Sequence, residues 1–103
     1  MYRRIDARKA RELHGRERGA VYLDVRTEEE YRERRIPNAL LLPDYDIAEY
    51  ACELLPDADA CVLIYCRRGN RSRIAALILS EMGYTNVYDF GSINDWPYET
   101  ECG

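Results

Sequence analysis

The chain has 103 residues, 47% of them hydrophobic and 33% charged, with a formal charge of −4; these are the proportions of one globular domain over 1–103, not of a disordered or two-domain chain. No apolar run approaches the roughly 20 residues of a membrane span, and a pI near 5.0 excludes the basic footprint of a general nucleic-acid binder. Residues Met1 to Asp6 carry no apolar signal stretch, so a cytoplasmic location is expected.

In chain order, a marginal strand at Tyr2–Ile5 leads into a helix from Ala7 to about His14, with Asp6 as its N-cap. Ala20-Val21-Tyr22-Leu23 is a short continuous apolar run, the pattern of a strand buried on both faces. Thr27-Glu28-Glu29-Glu30 is a capping box that opens a second helix, closed by Pro37. Glu28–Arg32 and Glu30–Arg34 fall at the favourable i,i+4 spacing, so this charge run is expected to be a solvated face, with Tyr31 as its inward anchor. A short strand at Leu40–Leu42 and a helix from Ile47 to Leu55, stopped by Pro56, come next. Cys61 to Tyr65 is the most apolar strand. Arg71 to Met82 is a helix with Gly83 suited to its C-terminal cap, and Val87-Tyr88 is a last short strand. Strands separated by helices imply parallel crossovers. The expected class is therefore α/β, a small central mostly parallel sheet of four to five strands with helices on both faces.

Four cysteines, Cys52, Cys61, Cys66 and Cys102, contain no C-x-x-C pair, and His14 is the only histidine. No metal site and no cofactor are read from this pattern, and free thiols are expected in a reducing compartment. Cys61 lies five positions before Cys66, hence on the opposite face of the strand and roughly 16 Å away. Cys52 sits in a predicted helix. Cys102 is in a tail expected to fray, with a resolving role for it left open.

The chemically informative stretch is Cys66-Arg67-Arg68-Gly69-Asn70-Arg71-Ser72. It joins the most apolar strand to a helix, at the sheet end where ligands of α/β proteins bind. Gly69 allows a tight curl that converges N–H groups on one anion. Arg67, Arg68, Arg71 and Arg73 surround the helix start, and no acidic residue occurs between Asp59 and Glu81. Four arginines without an internal partner at a positive helix end call for an anion among them. Cys66 supplies one as a thiolate, under conditions that favour thiol ionisation. It is the expected reactive thiol. His14 cannot be brought next to it from sequence, which counts against a cysteine–histidine protease.

Leu23-Asp24-Val25-Arg26-Thr27-Glu28-Glu29-Glu30-Tyr31 followed by Arg35-Ile36-Pro37-Asn38-Ala39 resembles the first signature of rhodanese domains. The loop from Cys66 to Ser72 is similar to the rhodanese active-site loop, and Gly91-Ser92-Ile93-Asn94-Asp95-Trp96-Pro97 to the family's closing motif. Two departures stand out: Arg35 and Asn38 replace the His and Gly of His-Ile-Pro-Gly-Ala, and Ser92 replaces the second Gly of Gly-Gly. Asn38 must then make a turn normally made by glycine.

The resemblance implies a thiosulfate sulfurtransferase. The Cys66 thiolate would take the outer sulfur of thiosulfate or a similar donor, and the persulfide would pass it to cyanide, a low-molecular-weight thiol or a protein thiol. Arg67 or Arg68 would recognise the donor, and Gly69, Asn70 and Arg71 would form the cradle. Ser72 would donate to the thiolate. Asp24 and Arg26 would support the loop from behind, and Trp96 would be a packing anchor. The alternatives are a non-catalytic rhodanese-like partner-binding or sulfur-relay module and, further off, a cysteine-based phosphatase. Phosphatases of the related class need Cys-x5-Arg, whereas Arg71 follows Cys66 after four residues.

Overall fold

A computed structural model describes all residues from Met1 to Gly103. The elements run β1 (Tyr2–Arg4), α1 (Ala7–Arg16), β2 (Val21–Asp24), α2 (Glu28–Glu33), β3 (Leu40–Leu41), α3 (Ile47–Leu54), β4 (Val62–Cys66), α4 (Asn70–Glu81) and β5 (Val87–Ser92), with 3-10 turns at Asp44–Asp46 and Ile93–Asp95. The five strands form one sheet in the order β1-β5-β4-β2-β3. Every pairing is parallel, so the expected α/β class holds. No helix is long and apolar enough to cross a membrane.

Central β4 is buried along its whole length, which explains its unbroken apolar sequence. Alternation sends Val62, Ile64 and Cys66 into the core under α3 and α4, where Ala51, Ala75, Ala76 and Leu79 close over them. Leu63 and Tyr65 point the other way, into a second core with Ala7, Ala10 and Leu13 of α1 and an aromatic group of Tyr22, Phe90 and Trp96. Cys61 falls in this second core, opposite Cys66 as its spacing requires. Helix α2 buries no residue. It follows the carboxyl end of β2 in the chain, its Tyr31 packs against the second core, and its Glu30 bonds to Arg71 of α4.

Three local expectations are revised. Strand β5 does not stop at Tyr88 but continues to Ser92; its register against β4 slips between Ile64 and Tyr65, passing over Phe90. Gly91 at φ 84° accommodates that irregularity. Helix α1 extends to Arg16, closed by the Glu17 N–H on the Leu13 carbonyl. The C-terminal tail is not frayed: Arg35 and Glu101 exchange backbone hydrogen bonds of 2.9 Å, and the Gly103 N–H donates to the Arg32 carbonyl at 2.8 Å.

Asn38 does make the glycine-like turn, with φ at 70°. Asn38→Ala is therefore expected to lower stability by about 1 kcal/mol, because alanine pays the left-handed penalty without asparagine's local hydrogen bonding. Asn38→Gly should unfold at the wild-type temperature or slightly above it. Paired thermal melts check both, and equal melts for alanine and wild type would refute the strain argument.

Candidate active site

Cys66 is the last residue of β4 and only 1% exposed. Its sulfur accepts a hydrogen bond from the Gly69 N–H at 2.9 Å. That bond needs the loop to double back within three residues, and Gly69 permits it at φ 99°. An L side chain there would be strained. The same turn starts α4 at Asn70, one residue earlier than its hydrophobic pattern suggests. From the β5 side, the Arg67 carbonyl accepts hydrogen bonds from the Ser92 hydroxyl and, at 3.3 Å, from Asn94 Nδ2. The serine that departs from the Gly-Gly pattern thus anchors the loop.

Ser72 is fully buried, but its hydroxyl donates to the Gly69 carbonyl at 3.2 Å, not to the sulfur. From its place in the first turn of α4 it reaches back three residues and fixes the loop's curvature. The sequence-based role of thiolate donor is replaced by one of holding the loop.

A cavity of about 330 Å³ opens over the cysteine, lined by Cys66, Arg67, Arg68, Asn70, Arg71 and Glu30. Arg67 and Arg68 are exposed and enter no ion pair. Arg71 differs. Its guanidinium forks onto the Glu30 carboxylate, Nη1 to Oε1 at 2.8 Å and Nη2 to Oε2 at 3.1 Å. The expectation of four arginines without an internal partner is therefore corrected: α2 brings in the acid that the local sequence lacks.

Glu30 is the residue that sequence reasoning missed as part of the site. Its capping box with Thr27 is present, with Thr27 N–H on Glu30 Oε1 at 3.0 Å and Glu30 N–H on Thr27 Oγ1 at 3.2 Å. The box pre-positions the carboxylate for Arg71. The Arg71 hydrogen bond, with lesser help from the Thr27 N–H, holds the Glu30 pKa down at about 2 despite burial. Arg71 is in turn raised above its ordinary value, first by Glu30 and also by the charge of Cys66. The predicted Glu30–Arg34 pair does not form, because Arg34 has left the helix at φ −167° and ψ 131°. Glu28–Arg32 does form, at 2.9 Å.

Behind the loop, Asp24 and Arg26 are buried together. Asp24 Oδ1 accepts from Arg26 N–H at 3.0 Å and Arg26 Nε at 2.9 Å, and Oδ2 accepts from Arg26 Nη2 at 2.7 Å. Oδ2 also takes the Tyr65 hydroxyl hydrogen at 2.7 Å, and the Ile36 N–H donates to the Tyr65 oxygen at 3.2 Å. Arg26 further donates to the Arg34 carbonyl. Burial opposes the Arg26 charge, but Asp24 outweighs it and raises the pKa. The pair makes no hydrogen bond to the 67–72 loop. It acts through Tyr65, the residue immediately before Cys66.

The remaining candidates lie elsewhere. His14 stacks on Tyr22 at 4.0 Å, in a separate cavity beside Trp96, and burial lowers its pKa. Burial raises the Cys61 thiol to about 11. Cys52 and Cys102 are exposed free thiols. Trp96 is buried against Tyr22, Phe90 and Tyr98, as expected of a packing anchor.

A buried cysteine ending the central strand of a parallel α/β sheet, held by a glycine turn at a helix start, thus lines a cavity with Arg67, Arg68 and Arg71. The rhodanese-like domain model matches residues 6–98. This chain belongs to the rhodanese family. Thiosulfate sulfurtransferase PspE of Escherichia coli is 36% identical over 72% of this chain and 71% of that protein. Thiosulfate sulfurtransferase GlpE of Pseudomonas syringae is 34% identical over 99% of this chain and 97% of its own length. Among solved structures, a rhodanese with anions from E. coli superposes with a TM-score of 0.77 at 33% identity, covering 82% of this chain and 99% of that one. A rhodanese-related protein from Thermoplasma volcanium gives 0.85 at 28% identity, covering 99% and 100%.

Proposed function

We propose that the protein is a thiosulfate sulfurtransferase working through a persulfide on Cys66. The thiolate attacks the outer sulfur of thiosulfate, the donor's S–S bond breaks, and sulfite leaves with the bonding pair. A nucleophilic acceptor (cyanide, a small thiol or a protein thiol) then attacks the sulfur held on Cys66. That second step returns the cysteine as thiolate, so no cofactor is called for. Arg67 and Arg68 are the free cations for the donor's sulfonate end, and the Gly69 N–H steadies the reacting sulfur.

The observation that carries this reading is the Cys66 sulfur at the base of an arginine-lined cavity with one backbone N–H on it at 2.9 Å. The names of the full-length relatives support it. Phosphoryl transfer fits less well, because Arg71, the arginine that would grip phosphate oxygens, is already taken in a two-pronged bond by Glu30.

Intact-mass measurement after incubating reduced protein with thiosulfate tests the proposal. A gain of ~32 Da is expected on wild type, located at Cys66 and discharged by cyanide. Cys66→Ala should gain nothing, although Cys52, Cys61 and Cys102 remain. A folded wild-type protein whose Cys66 alkylates with iodoacetamide but never gains sulfur would overturn the reading.

A further inference from the structure

Asp89 of β5 is fully buried. It stands in register with Ile64 of β4 and Arg4 of β1. Two residues after Val87, it shares the face that α3 and α4 cover. One carboxylate oxygen, Oδ1, accepts from the Gly91 N–H at 2.9 Å. The other, Oδ2, has no hydrogen-bond partner, and Arg4 Nε stops 4.0 Å from it on a side chain that is 67% exposed. A carboxylate buried with one oxygen unbonded costs stability. Its use therefore lies in what Oδ1 holds.

Oδ1 holds the end of β5. The register against β4 slips just after Asp89, and pairing resumes at Gly91 with φ 84°. From there the strand meets the Cys66 loop twice. The Gly91 Cα lies 3.9 Å from the position that a Cβ on Gly69 would take, and Ser92 with Asn94 binds the Arg67 carbonyl. Gly69 is the residue whose N–H reaches the Cys66 sulfur. Arg4 closes the outer side, its Nη2 3.4 Å from where a Gly91 Cβ would stand. We infer that Asp89 is a positioning residue for the Cys66 thiolate: by pinning Gly91 it sets the floor against which Gly69 turns, and so keeps the Gly69 N–H aimed at the sulfur. The role needs an acceptor oxygen at this place, not a negative charge.

Iodoacetamide alkylation, read at the Cys66 peptide by mass, tests this without any sulfur donor and keeps exposed Cys52 and Cys102 out of the signal. In Asp89→Ala the pH of half-maximal rate should rise by about one unit, because a hydrogen bond to the thiolate is weakened. Arg67, Arg68, Arg71 and Glu30, the charged groups that line the cavity with Cys66, are the same in every variant. Loss of the Asp89 charge alone would move the profile the other way, since a nearby anion opposes ionisation. Asp89→Asn keeps the acceptor and should show no rise. The Gly69 amide resonance should move in the alanine variant and stay in the asparagine one. Gly91→Ala, strained at its positive φ, should reproduce the rise with the carboxylate in place, and the double variant should add little to either single one. The kinetic arm rests on the sulfurtransferase reading: kcat for thiosulfate should fall about tenfold in Asp89→Ala with KM within about twofold. An unmoved or lowered profile in folded Asp89→Ala, or a rise in Asp89→Asn as large as in alanine, would overturn the role. Should Asp89→Ala not fold, a wild-type profile in Gly91→Ala overturns it equally. If thiosulfate fails to load the wild type while Asp89→Ala still shifts the alkylation profile, the donor reading fails and the positioning role stands.

Discussion

Asp24→Ala is expected to lose about 3–5 kcal/mol of stability, the range for removing one partner of a buried ion pair. Asp24 is 0% and Arg26 4% exposed, so water cannot replace the carboxylate. Truncation strands three Arg26 donors and the Tyr65 hydroxyl, leaving Arg26 only the Arg34 carbonyl. Against a typical total of about 5–15 kcal/mol, such a loss brings the protein close to unfolding. Asp24→Asn keeps an acceptor oxygen and should fall between alanine and wild type. Tyr65→Phe should cost less, about 1–2 kcal/mol, because it leaves the Ile36 N–H unpaired but no charge. Urea titrations followed by Trp96 fluorescence rank the three. An Asp24→Ala midpoint equal to wild type would mean that Arg26 finds another acceptor, and the account of how Tyr65 is held would fall.

The same network shows where sequence reading reaches its limit. β4 was legible because a strand buried on both faces has no polar position to confuse its pattern, and Cys66 stood out as its end. The far half of β5 was not, because Asp89-Phe90-Gly91-Ser92 has the composition of a turn; β1 pairs no further than Asp89, and only pairing with Ile64, Tyr65 and Cys66 of β4 carries the strand on to Ser92. Asp24 and Arg26 could be assigned to the rim from their place after a strand, but Tyr65, 41 residues from Asp24, could not be foreseen as their link to the cysteine. Glu30 was legible as a helix cap, since a capping box is local. Its second partner was not, because i,i+4 spacing points to Arg34, and only the extended backbone at Arg34 removes that choice.

Glu30→Gln isolates what that second partner contributes, since glutamine still closes the capping box but carries no charge for Arg71. The expected loss is about 1 kcal/mol at neutral pH, held to the scale of partly exposed pairs because Arg71 remains 30% exposed against 17% for Glu30. Its pH dependence has a defined sign. The Glu30 pKa falls from 4.5 in the unfolded chain to about 2 in the fold, so the stabilisation is complete above pH 4.5 and is lost as pH falls through about 2. The stability gap between wild type and Glu30→Gln should therefore be constant from pH 5 to 7, narrow below 4.5 and vanish near 2; a gap that persists unchanged at pH 2 would show that it does not arise from this ion pair. Activity responds through geometry rather than charge alone. Arg71 sits one residue inside α4 and on the wall of the cysteine cavity, and Glu30 ties it to α2 across that cavity. Releasing it loosens the cradle while leaving Arg67 and Arg68 to attract the donor, so kcat for thiosulfate should fall about tenfold with KM nearly unchanged. A rise in KM with kcat preserved would instead make Glu30 a determinant of donor binding, and would move the recognition of thiosulfate from Arg67 and Arg68 to Arg71.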